Sequence, residues 1–244
     1  MILKTSLYCL SCLLLFSCSK DYSFEGGPDL IDNGPPVDTV QVVPTTNPDY
    51  FPLTENSRWI YDDMTFPGDS VIRSFLAPTT IENLPYEEWN EFKSFYPANN
   101  KQYYRKTGDN YYRYTSVSGF TSYLNFSPSI YDHLNFLKET LTTGETWYSP
   151  DYQGRTSVGI QVKLLRYQFR CVDANATVTV NGNTFAHVYV VQMRPEVCDP
   201  GGIPQPTGEM HTLYYAKGIG LIYSLFYNTI KTHEVLKIRK WIIQ

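Results

Sequence analysis

Beyond residue 48 the chain alternates apolar and polar positions with a period of two, in runs broken by Gly, Pro, Asn and Asp. Successive strand side chains point to opposite faces, so this pattern predicts half-buried β-strands. Ser70 to Leu76 and Tyr86 to Tyr96 are two such runs. Lys101 to Lys106 and Tyr111 to Ser116 flank Gly108-Asp109-Asn110 and read as a hairpin. After Ser157 to Val172, the runs Ala176–Val180 and Thr184–Met193 flank Asn181-Gly182. That dipeptide predicts a type I′ turn, which needs positive φ at both positions. Thr212–Ala216, Leu221–Tyr227 and Thr232–Ile243 close the chain, the last alternating Leu236, Ile238 and Ile242 with Lys237 and Arg239. Leu134, Leu137, Lys138 and Leu141 instead have helical spacing and predict one short helix over 134–141.

Two stretches share a skeleton. Leu53 and Trp59 lie six apart around Asn56, and Leu141 and Trp147 lie six apart around Gly144. Each reads as a core-plugging Leu, a turn, and a Trp that opens a strand. Gly218 and Gly220 flank Ile219 between two apolar runs, which suits a tight turn or bulge. Eight or more strands joined by short turns predict an all-β, mainly antiparallel domain over 49–244, with at most one or two short helices. The sheet is expected to be strongly curved, a half-barrel or barrel. Hairpin connectivity excludes a parallel α/β fold.

The N-terminus follows other rules. Lys4 precedes an apolar run from Leu7 to Phe16, too short to span a bilayer that needs about twenty residues. Leu15-Phe16-Ser17-Cys18 resembles the lipobox of bacterial lipoproteins. That resemblance implies cleavage after Ser17, a signal over 1–17 and acylation of Cys18, an anchor of several chains. Ser19 rather than Asp follows the Cys, which by analogy implies the outer membrane, on its periplasmic face or at the cell surface. Residues 18–48 hold Gly26-Gly27-Pro28, Gly34-Pro35-Pro36, Pro44 and Pro48 with few core-forming residues, and read as a tether.

Of five Cys, this arrangement removes Cys9 and Cys12 with the signal and lipidates Cys18. Cys171 and Cys198 remain, a pair expected to form a disulfide in an oxidising compartment.

A net charge of −4 argues against nucleic acid as partner. The sequence holds no Gly-x-Ser-x-Gly elbow, His-Glu-x-x-His or calcium loop. His133, His187, His211 and His233 are scattered, and Glu87, Glu88 and Glu91 read as a solvated strand edge. No catalytic residue, metal ligand or cofactor is expected. Charged residues are only 18% while aromatics reach 16%, with 21 Tyr. Tyr103, Tyr104, Tyr111, Tyr112 and Tyr114 share one predicted hairpin. Adjacent Tyr alternate faces, so one set can pack inward while the other stacks on a ligand. Such pairs also stabilise sheets without binding anything.

Tyr50-Phe51-Pro52-Leu53 leading to Trp59-Ile60-Tyr61, together with Tyr214-Tyr215-Ala216-Lys217-Gly218-Ile219-Gly220-Leu221-Ile222, resembles a broad group of uncharacterised Bacteroidota lipoproteins. The sheets of that group are similar to the half-barrels of periplasmic lipoprotein carriers, a likeness of fold alone. Two roles follow as expectations, both non-catalytic and both membrane-anchored. One is binding of an apolar or amphiphilic, lipid-like ligand in the concavity. The other is an interaction module that recognises glycan or protein through exposed aromatics.

Overall fold

A computed structural model of the chain describes residues 49–94, 100–117, 124–125, 130–156, 161–198 and 203–244. The signal, Cys18 and the tether lie outside these residues. The described chain is all β, without an α-helix. Its fifteen strands are β1 (Arg58–Asp63), β2 (Asp69–Ile81), β3 (Leu84–Lys93), β4 (Asn100–Thr107), β5 (Asn110–Ser116), β6 (Leu124–Asn125), β7 (Tyr131–Lys138), β8 (Thr146–Tyr148), β9 (Tyr152–Thr156), β10 (Gln161–Val180), β11 (Asn183–Cys198), β12 (Gln205–Pro206), β13 (Met210–Ala216), β14 (Gly220–Asn228) and β15 (Lys231–Ile242).

All strands join one antiparallel sheet in the order β6-β9-β10-β11-β13-β14-β15-β1-β2-β3-β4-β5-β7, with β8 on β10 and β12 on β11. The sheet is open but curled. Its two sides meet through side chains instead of a backbone ladder. Trp147 Nε1 donates to the Asn135 carbonyl (3.0 Å), Tyr152 Oη to Asp132 Oδ2 (2.6 Å), and Lys138 Nζ pairs with Glu145 Oε1 (2.8 Å).

Local chemistry sets the turns. Asn181 and Gly182 take φ of 48° and 79°, the pair of positive angles that a type I′ turn needs. Asn56 and Gly144 also lie at positive φ (61° and 91°), so the two Leu-turn-Trp skeletons are built alike. Trp59 and Trp147 sit in β1 and β8, both buried. Gly218 and Gly220, at φ 75° and 99°, form the β13–β14 turn and let the Ile219 carbonyl accept from Trp59 Nε1 at 2.6 Å.

The core lies inside the curl. The segment Asp49–Pro52 enters it from one rim. Tyr50 stacks on Tyr189 with ring centroids 3.6 Å apart. Phe51 sits among Tyr104 (4.9 Å), Phe136 (5.2 Å), Tyr111 (6.2 Å), Tyr215 (6.3 Å) and Trp59 (6.4 Å). Asp49 closes the rim by pairing with Lys106 (2.7 Å), which also reaches Glu139 (3.1 Å).

Three sequence-based expectations need correction. Residues 134–138 form part of strand β7, not a helix, with Leu134, Phe136 and Leu137 buried. A register shift opposite Tyr111/Tyr112 brings both Phe136 and Leu137 into the core, and that doubling gave the helical spacing. Glu91 is no solvated edge residue. Strand β3 runs between β2 and β4, and Glu91 is buried against Arg73 at 2.7 Å.

The third correction is the disulfide. Cys171 is a free, buried thiol. The β10–β11 register places Cys171 opposite Val191 and Cys198 opposite Leu164, seven positions before Cys171 in β10. At about 3.3 Å per residue that is roughly 23 Å, against the ~7 Å Cα limit of a disulfide. Burial, with Glu145 nearby, pushes the Cys171 thiol up to about 11, which makes it a poor nucleophile. Reduction is therefore expected to leave the gel mobility of the chain unchanged. Both cysteines should label with maleimide once the chain is unfolded without reductant, and a denatured chain that labels only after reduction would show a disulfide.

Candidate functional site

The β4–β5 hairpin pairs Tyr103 with Tyr114, Tyr104 with Arg113, Arg105 with Tyr112 and Lys106 with Tyr111. Directly opposed residues share a face, so the hairpin divides its five tyrosines. Tyr104 and Tyr111 point inward and are buried in the Phe51 cluster. Tyr103, Tyr112 and Tyr114 point outward and are half-buried. Burial, reinforced by a hydrogen bond to Glu139, raises the Tyr111 hydroxyl far above the usual phenol range.

The inner face is occupied, among the described residues, by the chain's own side chains. At the level of Tyr104 and Tyr215 the chain's own Phe51 fills it. The same face carries charge. Arg73 lies against Glu91, with its guanidinium 5.3 Å from the Tyr61 ring centroid, and Arg113 donates to Gln102. Burial alone would raise the Glu91 carboxyl. The charge and hydrogen bond of Arg73 outweigh that and hold it below the ordinary range.

The outer face is built differently. The β3–β4 ladder stops at Glu87 opposite Tyr104, while β4 continues to Thr107. The tip of the β2–β3 hairpin therefore leaves the sheet and folds over the outer surface of β4, β5 and β7. Its turn residues Glu82 and Asn83 take φ of 52° and 64°. Positive φ is uncommon for a Glu, and here it aims the carboxylate back at the sheet. Glu82 Oε2 meets His133 Nε2 at 3.0 Å, and Tyr114 Oη donates to Glu82 Oε1 at 3.4 Å. His133 Nδ1 meets Tyr86 Oη at 2.5 Å, and Arg105 Nε donates to the same oxygen at 3.1 Å.

Tyr86 Oη accepts from Arg105, and in the Nε2–H tautomer His133 accepts from Tyr86 at Nδ1 and donates to Glu82 at Nε2. Burial raises the Tyr86 hydroxyl while Arg105 pulls it back down. Tyr86 is only 1% exposed, so its hydroxyl fastens the overhang from within, while the Glu82 carboxylate at the far end of this chain of bonds is 60% exposed.

Around the fastening lies an aromatic surface. Tyr114 stacks on Tyr131 with centroids 5.7 Å apart at 25°, and Tyr131 is 56% exposed. Arg105 lies 4.4 Å from the Tyr112 ring centroid. The hairpin tyrosines pointed to this surface from sequence. Tyr86, Glu82, Arg105, His133 and Tyr131 did not, because they come together only when the β2–β3 tip crosses strands that are distant in sequence. The other histidines lie apart, His187 against Asn175 (2.8 Å) and His211 against Phe226 (4.7 Å). Among the described residues no three His, Cys, Asp or Glu side chains are grouped to hold a metal ion.

No protein-family model matches the sequence, and no curated protein does. Two solved structures are similar in fold. One is a candidate lipoprotein of Parabacteroides distasonis, with a TM-score of 0.46 and 10% identity over 80% of this chain and 99% of that one. The other is a candidate exported protein with a YmcC-like fold from Bacteroides fragilis, with a TM-score of 0.43 and 13% identity over 79% of this chain and 100% of that one.

Proposed function

We propose that this chain is a lipid-anchored cell-envelope protein, held to the outer membrane through Cys18, whose role is to bind a glycan without catalysis. The lipobox supports the anchor. The observation that carries the binding role is the division of tyrosines. Tyr104 and Tyr111 are consumed by the core, whereas Tyr112, Tyr114 and the largely exposed Tyr131 form an outward aromatic surface. Flat rings at a wet surface stack on the C–H faces of sugars, and their hydroxyls, with the flanking Glu82, satisfy sugar hydroxyls. An apolar ligand in the concavity is disfavoured by Phe51 and by the Arg73–Glu91 pair.

The test is an oligosaccharide panel probed with the full chain in a non-glycosidic detergent. At least one glycan should bind, and Tyr131→Ala should weaken it about tenfold or more. Because Tyr131 is exposed, the same substitution should change stability by no more than about 0.5 kcal/mol. Binding unaffected by Tyr131→Ala would locate it elsewhere, and a ligand that competes with envelope lipids would restore the concavity.

A further inference from the structure

We infer that the glycan taken by this face is acidic, with Arg105 holding its carboxylate or sulfate. The inference rests on the tyrosine face being the binding surface, and it names the chemistry of what binds there. On this face Lys101 pairs with Glu88 at 2.7 Å, and the Glu82 carboxylate meets His133 at 3.0 Å. Arg105 has no carboxylate partner among the described residues. Its bonds go to two neutral hydroxyls, from Nε to Tyr86 Oη (3.1 Å) and from Nη1 to Thr107 Oγ1 (3.0 Å).

A guanidinium carries five N–H donors, so most of its fork is left for a ligand. The aromatic neighbours fix its attitude. Its centre lies 4.4 Å from the Tyr112 ring centroid and 5.4 Å from that of Tyr86. Contact with two rings orients the planar group at no further entropic cost when a ligand arrives, and it lowers the hydration that an anion must displace. An oriented, unpaired fork beside stacking rings matches a sugar that carries a carboxylate or sulfate, because such anions accept two parallel N–H bonds from one guanidinium. A neutral sugar would use the rings and leave the charge unanswered. A lysine at this position would supply charge without the fork.

The experiment titrates the full chain, in a non-glycosidic detergent, with a uronic-acid oligosaccharide and with its carboxyl-reduced, neutral counterpart. The wild-type chain should bind the uronate about tenfold more tightly than the neutral sugar. Added sodium chloride should erode the uronate affinity alone. Arg105→Lys and Arg105→Gln should bring the ratio to within about threefold of unity while leaving the neutral affinity in place. That retained affinity also shows that the variants are folded. Equal wild-type affinity for both sugars would overturn the acidic preference and leave the tyrosine face as the binding surface. A preference that survives both substitutions would overturn the role of Arg105. Failure of the wild-type chain to bind either sugar, or any member of the wider panel, would overturn the binding surface itself.

Discussion

Replacing Phe51 by alanine is expected to destabilise the domain by about 4 kcal/mol, within the range of roughly 3–5 kcal/mol for truncating a buried aromatic. Phe51 packs against rings from five strands: Trp59 of β1, Tyr104 of β4, Tyr111 of β5, Phe136 of β7 and Tyr215 of β13. These five neighbours cannot move in to fill that space, because each is fixed in a ladder. The segment that carries Phe51 is otherwise held by the Tyr50–Tyr189 stack, the Asp49–Lys106 pair and the Gly218 amide donating to the Asp49 carbonyl (2.9 Å). Urea titration should show a lower midpoint at an unchanged slope. Phe51→Leu should lose under about 1.5 kcal/mol, since a bulky apolar group refills most of the volume. A loss below about 1 kcal/mol for the alanine variant would mean that the segment does not occupy the curl.

The second large effect is unfolding at alkaline pH. Tyr61, Tyr111, Tyr167 and Tyr215 are at most 3% exposed. In each, burial is the leading cause that raises the hydroxyl far above the ordinary phenol value of 10.0. Arg73 opposes the shift at Tyr61 without cancelling it. These groups stay protonated in the fold but ionise in the unfolded chain once pH exceeds about 10. Their contribution is therefore complete below pH 10 and is lost as pH rises above it. Each costs about 1.4 kcal/mol per pH unit, so four cost roughly 5–6 kcal/mol per unit. A domain is typically stable by only about 5–15 kcal/mol. Cooperative unfolding is thus expected within about two units above pH 10. Tyrosinate absorbance should rise in one steep step that coincides with loss of the β-sheet circular dichroism. A gradual titration of all tyrosines near their ordinary value, with the sheet intact, would contradict their burial.

Much of the strand pattern was legible because burial of one sheet face writes itself as period two. The Asn181-Gly182 turn could be placed because few residue pairs accept positive φ twice. Glu82-Asn83 makes a turn with the same signs, yet Glu gives no such signal, and the overhang it creates stayed hidden. The helical spacing at 134–141 misled because a bulge put Phe136 and Leu137 into the core together. Glu91 looked solvated because Arg73, eighteen positions away, is its partner only through the β2–β3 register.

The sequence by itself determined the all-β class, the hairpin turns and the division of the Tyr103–Tyr114 hairpin into two faces. These depend on alternation and on backbone angles, which neighbouring residues control. The tertiary structure decided what the alternation served: Phe51 inside the curl, Cys171 and Cys198 kept apart by register, and Tyr86, Glu82, His133 and Arg105 gathered on the outer face. Each of these depends on the register between strands and on curvature, which are set by the packing of the whole sheet and leave no period in the chain.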